Sequence, residues 1–373
     1  MGHKAVKNVA AQVARNGRAV RTVRNWHDTS KVCALPLRQA AGQWLRSALA
    51  TEPVYGLLRA RARAPGAIPV LMYHTLGPDA GRLDAWTVLR QSDFLAQTRA
   101  LREHHDIVSL DDALKPGAGR PRAVITFDDG NASLVSHLLP LLDRERLAVT
   151  VYVATRHVET GQPYWFDALV SALQPPCARV FDLGAWGLGQ FPIGDADPGR
   201  NWLRISALLE AMKTLTPDER EQASAAVLRQ SGGAARSARQ DDPLRPLTPT
   251  ELKRLADSPW VTIGSHTHGH ELLDQIPLNE ALRSIDASCE RLRAWTGKPV
   301  RHFAYPNGNY SVELVEALRR RGQFDSAVTT RPARCSARSD RLALPRIGVG
   351  RFDSLARFRL SLLVAEDVGP VRG

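Results

Sequence analysis

The sequence predicts an α/β protein with a mostly parallel sheet and helices packed outside it, closed as a barrel or left open as a doubly wound sheet. From Ile68 onward, short runs of apolar and β-branched residues alternate with segments that are apolar at helical spacing. The rhythm breaks after about residue 154 and resumes at Trp260. Polar clusters also sit directly behind several strand-like runs, on the carboxyl edge where parallel βα folds carry their sites.

The elements follow in order. Ile68–Tyr73 is a short apolar strand and Ser92–His104 a helix, followed by strands at Asp106–Leu110 and Arg122–Phe127. Ser133–Arg146 is helical, with Leu134, Leu138, Leu141 and Leu142 on one side, and Leu147–Ala154 is a β-branched strand. After the break come strand Trp260–Gly264, helix Pro277–Trp295, strand Val300–Tyr305, helix Ser311–Arg321 and strand Phe324–Thr329. Residues 155–259 contain Trp165, Trp186 and Trp202, a Gly/Pro-rich stretch at Gly184–Gly199, and helix-like segments at Trp202–Lys213 and Pro217–Arg229. They read as a mainly helical insertion that caps the site. The expected organisation is an arm over 1–65, a body over 66–350 containing the insertion, and a helix and tail over 351–373.

A chain of 373 residues, 43% of them hydrophobic, can bury a large core. Cys33, Cys177, Cys289 and Cys335 are far apart and read as isolated thiols. No run of about 18 apolar residues suggests a membrane-spanning helix, and no apolar signal-peptide core stands near the N-terminus. A cytoplasmic location is the expectation. The formal charge of +12 is concentrated: residues 1–65 carry 12 Lys/Arg against Asp28 and Glu52, which leaves the rest at +2. Leu37, Ala41, Trp44, Leu45, Ala48 and Leu49 give this arm an apolar helical face flanked by Arg38 and Arg46. Such a segment either lies on an anionic membrane surface, here the inner face of the cytoplasmic membrane, or packs on the body. No reader motif accompanies the charge, so nucleic acid is not an expected partner.

Two clusters carry the chemistry. Thr126-Phe127-Asp128-Asp129-Gly130 ends one strand and Ser265-His266-Thr267-His268-Gly269-His270 ends another. A catalytic zinc takes three N and O ligands and keeps a position for water. One carboxylate with His266 and His270 meets that need, and Gly269 is expected to turn the backbone so that both rings converge. The second carboxylate is then free to take a proton from the activated water. Alternation should point His268 elsewhere. Asp111-Asp112, after Ser109, reads as a helix cap. Pro306-Asn307-Gly308 and His74 also follow strand-like runs.

These motifs, together with Phe303-Ala304-Tyr305-Pro306-Asn307-Gly308, resemble the ordered signatures of the polysaccharide deacetylase family, the NodB-homology group or carbohydrate esterase family four. Val70-Leu71-Met72-Tyr73-His74 resembles the branch that includes poly-N-acetylglucosamine deacetylases. The likeness spans roughly residues 66–350 apart from much of the insertion. It implies a distorted (β/α) barrel of about seven parallel strands and hydrolysis of an N-acetyl group from a glycan. By position, Asp128 would be the general base, Asp129, His266 and His270 the ligands of a divalent metal, and the Asn307 N–H an oxyanion donor. Zinc is the default metal for this set, and cobalt or nickel fits the same ligands.

Two departures follow. Many members carry an Arg where this chain has Ala304, and Arg346 is the candidate to orient Asp128 instead. Many also supply a general-acid His near the C-terminus, whereas the last histidine here is His302. His74 is the replacement candidate, ahead of His302. The insertion's tryptophans serve either as structural side chains or as a stacking platform for sugar rings. Two other readings stand beside the glycan deacetylase: deacetylation or deformylation of a lipid-linked sugar at the membrane face, and a catalytically silent sugar-binding or scaffold protein.

Overall fold

The computed structural model describes residues 55–57, 66–81, 83–116, 119–174, 177–232, 242–364 and 366–367. Its centre is a sheet of seven strands: β1 (Val70–Tyr73), β2 (Arg122–Phe127), β3 (Val149–Val153), β4 (Val261–Ser265), β5 (His302–Ala304), β6 (Ser326–Val328) and β7 (Ile347–Gly348). All neighbours are parallel, in the order β6-β5-β4-β3-β2-β1-β7. The short strand Asp106–Ile107 pairs with the start of β2.

The register is continuous, with Leu71 opposite both Ile125 and Ile347, Ile125 opposite Val149, and Val149 opposite Val261. Leu344, just before β7, bridges Val328 of β6, and the Thr329 N–H donates to the Leu344 carbonyl at 2.8 Å. Residues 344–348 thus touch both edges of the sheet, which curls into a distorted barrel. Parallel strands covered on both faces are apolar nearly throughout. Accordingly Ala123, Val124, Ile125 and Phe127 of β2 are all fully buried.

The helix expected over Ser133–Arg146 is wound in two pitches, a π turn at Leu134–Leu138 and an α-helix at Leu139–Glu145. Pro140 has no N–H to return to Ser136, and the Leu139 N–H reaches back to Leu134 O instead. The chain leaves through Arg146 at φ 51°. Some expected elements shift by a residue or two, as with Gln91–Arg102 and Leu278–Thr296, whereas the strand expected over Asp106–Leu110 stops at Ile107 and Leu110 opens a short helix.

Residues 155–259 hold helices Thr155–Thr160, Trp165–Ala172, Pro198–Met212, Pro217–Gln230 and Pro249–Asp257. An antiparallel hairpin also lies here, Arg179–Asp182 with Gln190–Ile193, and only its second strand falls in the stretch read as Gly/Pro-rich. Its strands were hidden because Val180 is exposed and the apolar alternation is weak. Side-chain oxygens set the helix starts: Asp197 accepts the Arg200 N–H, and Thr216 and Glu219 form a capping box. Leu169, Phe181, Ile205, Leu208, Met212 and Val227 pack together here, joined by Ala85 and Val88 of the body.

The basic arm and its expected amphipathic helix lie outside the described residues, apart from residues 55–57, where Tyr55 is buried. A helix at Leu355–Ser361 follows the barrel. Among the described residues, no helix is long and apolar enough to cross a membrane.

Candidate active site

β1, β2, β4 and β5 end on the same side of the sheet, and their following loops meet in a cleft of about 1420 Å³, partly open to solvent. His74, Asp128, Asp129, His266, His270 and Asn307 all line it.

Asp129 follows Asp128 in a left-handed conformation, φ 75°, and Gly130 continues at φ 82°. A non-glycine residue adopts this region at a cost on the order of 1 kcal/mol, which surrounding structure must offset. Here Tyr164 Oη donates to the Asp129 carbonyl at 2.5 Å. A Cβ on Gly130 would stand 3.0 Å from a Val153 methyl, so the turn fits tightly against β3. The two carboxylates consequently point to different partners.

The Asp129 carboxylate faces the histidines. Its Oδ1 is 3.7 Å from His266 Nε2 and 3.5 Å from His270 Nε2, and one ligand atom from each of the three residues lies within 4.8 Å of the others. His266 Nδ1 donates to the Ala304 carbonyl at 2.8 Å, which leaves Nε2 as the bare lone pair. Burial lowers the His266 pKa to about 4, so the ring is neutral at physiological pH. His270 packs edge-on to Tyr164 and tilted against Phe166, with centroids at 5.4 and 5.3 Å. Burial raises the Asp129 carboxyl, but the His270 hydrogen bond and the neighbouring imidazoles bring it well below its ordinary value. One anionic oxygen and two imidazole nitrogens, converging and nearly enclosed, suit a divalent cation.

The loop carrying the histidines is held at both ends. The His266 N–H donates to Val153 O at 3.1 Å, Arg156 N–H to His268 O at 2.7 Å, and His268 N–H to Ser284 Oγ at 2.9 Å. Gly269 does not supply the turn as expected. Thr267 and His270 adopt positive φ, 66° and 58°, while Gly269 approaches Glu271, whose carboxylate accepts its N–H at 3.1 Å. His270 itself thus takes the strained conformation, and that aims its ring. His268 turns out of the cluster, with Nδ1 3.0 Å from Thr155 Oγ1.

Asp128 is 3% exposed and meets Arg346, which is fully buried. Arg346 Nη1 and Nη2 donate to Asp128 Oδ1 and Oδ2 at 2.7 and 2.6 Å. Nη1 also donates to Thr126 Oγ1 at 3.0 Å, Nε donates to Thr329 O at 2.9 Å, and the guanidinium lies over the Tyr152 ring. Burial alone would raise the Asp128 carboxyl, but Arg346 outweighs it and holds the group below its ordinary value. The guanidinium that holds Asp128 thus comes from Arg346, just before β7, and not from position 304.

His74 stands edge-on to Trp86 at 5.6 Å, and its buried Nδ1 has no protein partner. Asn307 adopts φ 55°, and a Cβ on Gly308 would strike Thr330 Oγ1 at 2.1 Å, so this turn admits only glycine there. His302 lies at the opposite end of the strands, with Nδ1 2.9 Å from Ser326 Oγ and Nε2 3.1 Å from Asp111 Oδ1. Asp112 accepts the Ser109 hydroxyl and its N–H caps onto Ser109, whereas Asp111 pairs with His302 and Arg301.

The insertion adds cleft residues that strand-end reasoning missed: Trp165, Phe166, Asp167, Trp202, Lys213 and Arg220. The Arg220 guanidinium lies over Trp165 at 5.7 Å, occupying that face. Asp167 is buried, and its Oδ2 has no protein partner. Burial, with the nearby Asp129 charge, pushes its carboxyl well above its ordinary value. An isolated Asp among Tyr164, Trp165 and Phe166 was the available signal.

A curled parallel barrel with a buried Asp-His-His cluster that could hold a cation, beside a separate, guanidinium-held carboxylate, has the makings of a hydrolytic site. Residues 115–323 match the family model for polysaccharide deacetylase, more than half of the 373-residue chain, and the chain belongs to that family as a carbohydrate N-deacetylase. Its fold is similar to a Streptococcus pyogenes deacetylase solved in complex with acetate, at 16% identity and TM-score 0.53, covering 80% of this chain and 99% of that one. A putative polysaccharide deacetylase of Bacillus anthracis gives 17% identity and TM-score 0.51, covering 79% and 68%. One from Bacillus cereus gives 18% and 0.50, covering 79% and 69%. No curated protein sequence matches the chain.

Proposed function

We propose that this deacetylase works with a divalent metal held by Asp129, His266 and His270, zinc by default, on an N-acetylated amino-sugar glycan. The observation that carries the reading is the division of labour between adjacent carboxylates, with Asp129 turned to the imidazoles and Asp128 turned to Arg346. When bound, the metal would supply Lewis acidity toward water and the acetamide carbonyl.

The remaining steps belong to the chain. Asp128, kept ionised by Arg346, takes the proton of the attacking water. The Asn307 N–H donates to the oxygen that becomes negative as the carbonyl carbon turns tetrahedral. His74, on the same cleft wall, gives a proton to the departing amine, releasing acetate and a free amino sugar. Purified protein should release acetate from acetylated amino-sugar oligomers, lose this on chelation, and regain it with zinc, cobalt or nickel. Activity undiminished in a thoroughly demetallated protein would refute the metal reading.

The motif around His74 favours a poly-N-acetylglucosamine-like polymer, whereas the +10 arm favours a lipid-linked sugar at an anionic membrane face. Side-by-side turnover of a soluble oligomer and a vesicle-embedded glycolipid separates them.

A further inference from the structure

The turn that presents the Asn307 N–H is not held by the barrel alone. Asn307 sits at φ 55°, and its neighbours restrain it from three sides. Thr330 Oγ1 donates to its carbonyl at 3.2 Å. Its Nδ2 donates to Asn309 Oδ1 at 2.6 Å, and the Asn309 amide is in turn fixed on both oxygens of Asp274 at 2.9 and 2.8 Å. The third restraint comes from the insertion: Lys213 Nζ donates to Asn307 Oδ1 at 2.8 Å.

Lys213 is itself anchored. It caps the C-terminus of helix Pro198–Met212, its ammonium also bonds Glu210 Oε1 at 2.6 Å, and its carbonyl accepts Gln275 Nε2 at 3.0 Å. Gln275 Oε1 accepts from Arg220 at 3.0 Å, so the Gln275 side chain, on the continuation of the His266–His270 loop, ties the Lys213 backbone to a second helix of the insertion. Lys213, Glu210 and Asn307 all border the cleft.

We propose that Lys213 is a positioning residue for deacetylation: by gripping the Asn307 side chain, it fixes the aim of the Asn307 backbone N–H at the developing oxyanion. This rests on the reading of Asn307 given above. A preorganised donor acts only if it already points where charge will appear, and small misplacement is costly. The insertion is then part of the catalytic geometry, beyond being a cover.

The test uses the full chain loaded with metal, the variants Lys213→Met, Lys213→Arg and Asn307→Gly, and the Met/Gly double variant. Glycine keeps φ 55° without strain but removes the grip, which separates the grip from the turn. Loss of aim should lower kcat about tenfold, a fraction of the ~10²–10³ lost with an oxyanion donor. KM should stay within about twofold, and Lys213→Arg should recover part of the loss. The double variant should be no worse than the weaker single one, and circular dichroism should confirm that each variant is folded. A raised KM at unchanged kcat, losses that multiply in the double variant, or full kcat in Lys213→Met would each overturn the proposal. A wild-type protein that releases no acetate from any acetylated oligomer would instead refute the functional reading beneath it.

Discussion

Replacing Arg346 with Met removes the guanidinium from a carboxylate that has almost no contact with water. Two charge-assisted bonds of 2.7 and 2.6 Å disappear, together with those to Thr126 Oγ1 and Thr329 O. Breaking a buried ion pair from one side costs about 3–5 kcal/mol, because the remaining charge is left uncompensated. At roughly 2 °C per kcal/mol for a chain this large, Tm at pH 7 should fall by about 6–10 °C. The proton affinity of Asp128 should move as well. In the wild type its folded pKa lies below the unfolded value, so the pair's contribution is present above about pH 3.9 and lost as pH falls through the folded pKa. Without Arg346 the main influence opposing burial is gone, and the Asp128 pKa moves up. The acid limb of kcat/KM for acetate release should therefore move to higher pH, and the variant's stability should no longer improve as pH rises through that window. Melting curves and pH–rate profiles of wild type, Arg346→Met and Arg346→Lys test both effects. An Arg346→Met protein with an unchanged acid limb and unchanged Tm would refute the assignment of Arg346 to Asp128.

Asp128→Asn should abolish acetate release while retaining metal, and His266→Ala should lose both, as read by elemental analysis beside the activity assay. Asp167 has a folded pKa raised above its unfolded value, so its stabilising contribution is full below about pH 3.9 and lost as pH rises through the folded pKa. The melting temperature of Asp167→Asn relative to wild type, both metal-free, should therefore increase from acid toward alkaline pH, and a pH-independent difference would count against a raised Asp167 pKa. Full-length chain should sediment with anionic vesicles and the chain lacking residues 1–65 should not; equal sedimentation would remove the arm as a membrane contact.

Much of the catalytic end was legible because its signals are local. Hydrophobic runs of four to six residues mark β1–β4, and in a parallel sheet the residues directly after them must share one edge. That is why the strand ends alone bring Asp128, Asp129, His266, His270, His74 and Asn307 together. Backbone detail was less legible. Gly269 looked like the turn residue, but Thr267 and His270 carry the positive φ, since hydrogen bonds from Arg156 and to Ser284 and Glu271 over-determine the loop.

By itself, the sequence determined the βα rhythm, the interruption at 155–259, the uneven charge and the identity of the residues at the strand ends, all properties of neighbours along the chain. Only the tertiary structure decided which carboxylate faces the histidines, that Arg346 reaches Asp128 across 218 positions, and that Lys213 and Asp167 enter the cleft from the insertion. Those outcomes depend on how the sheet curls and where the insertion's own apolar cluster seats its helices. Both are set by packing among residues far apart in the chain, which no local pattern records.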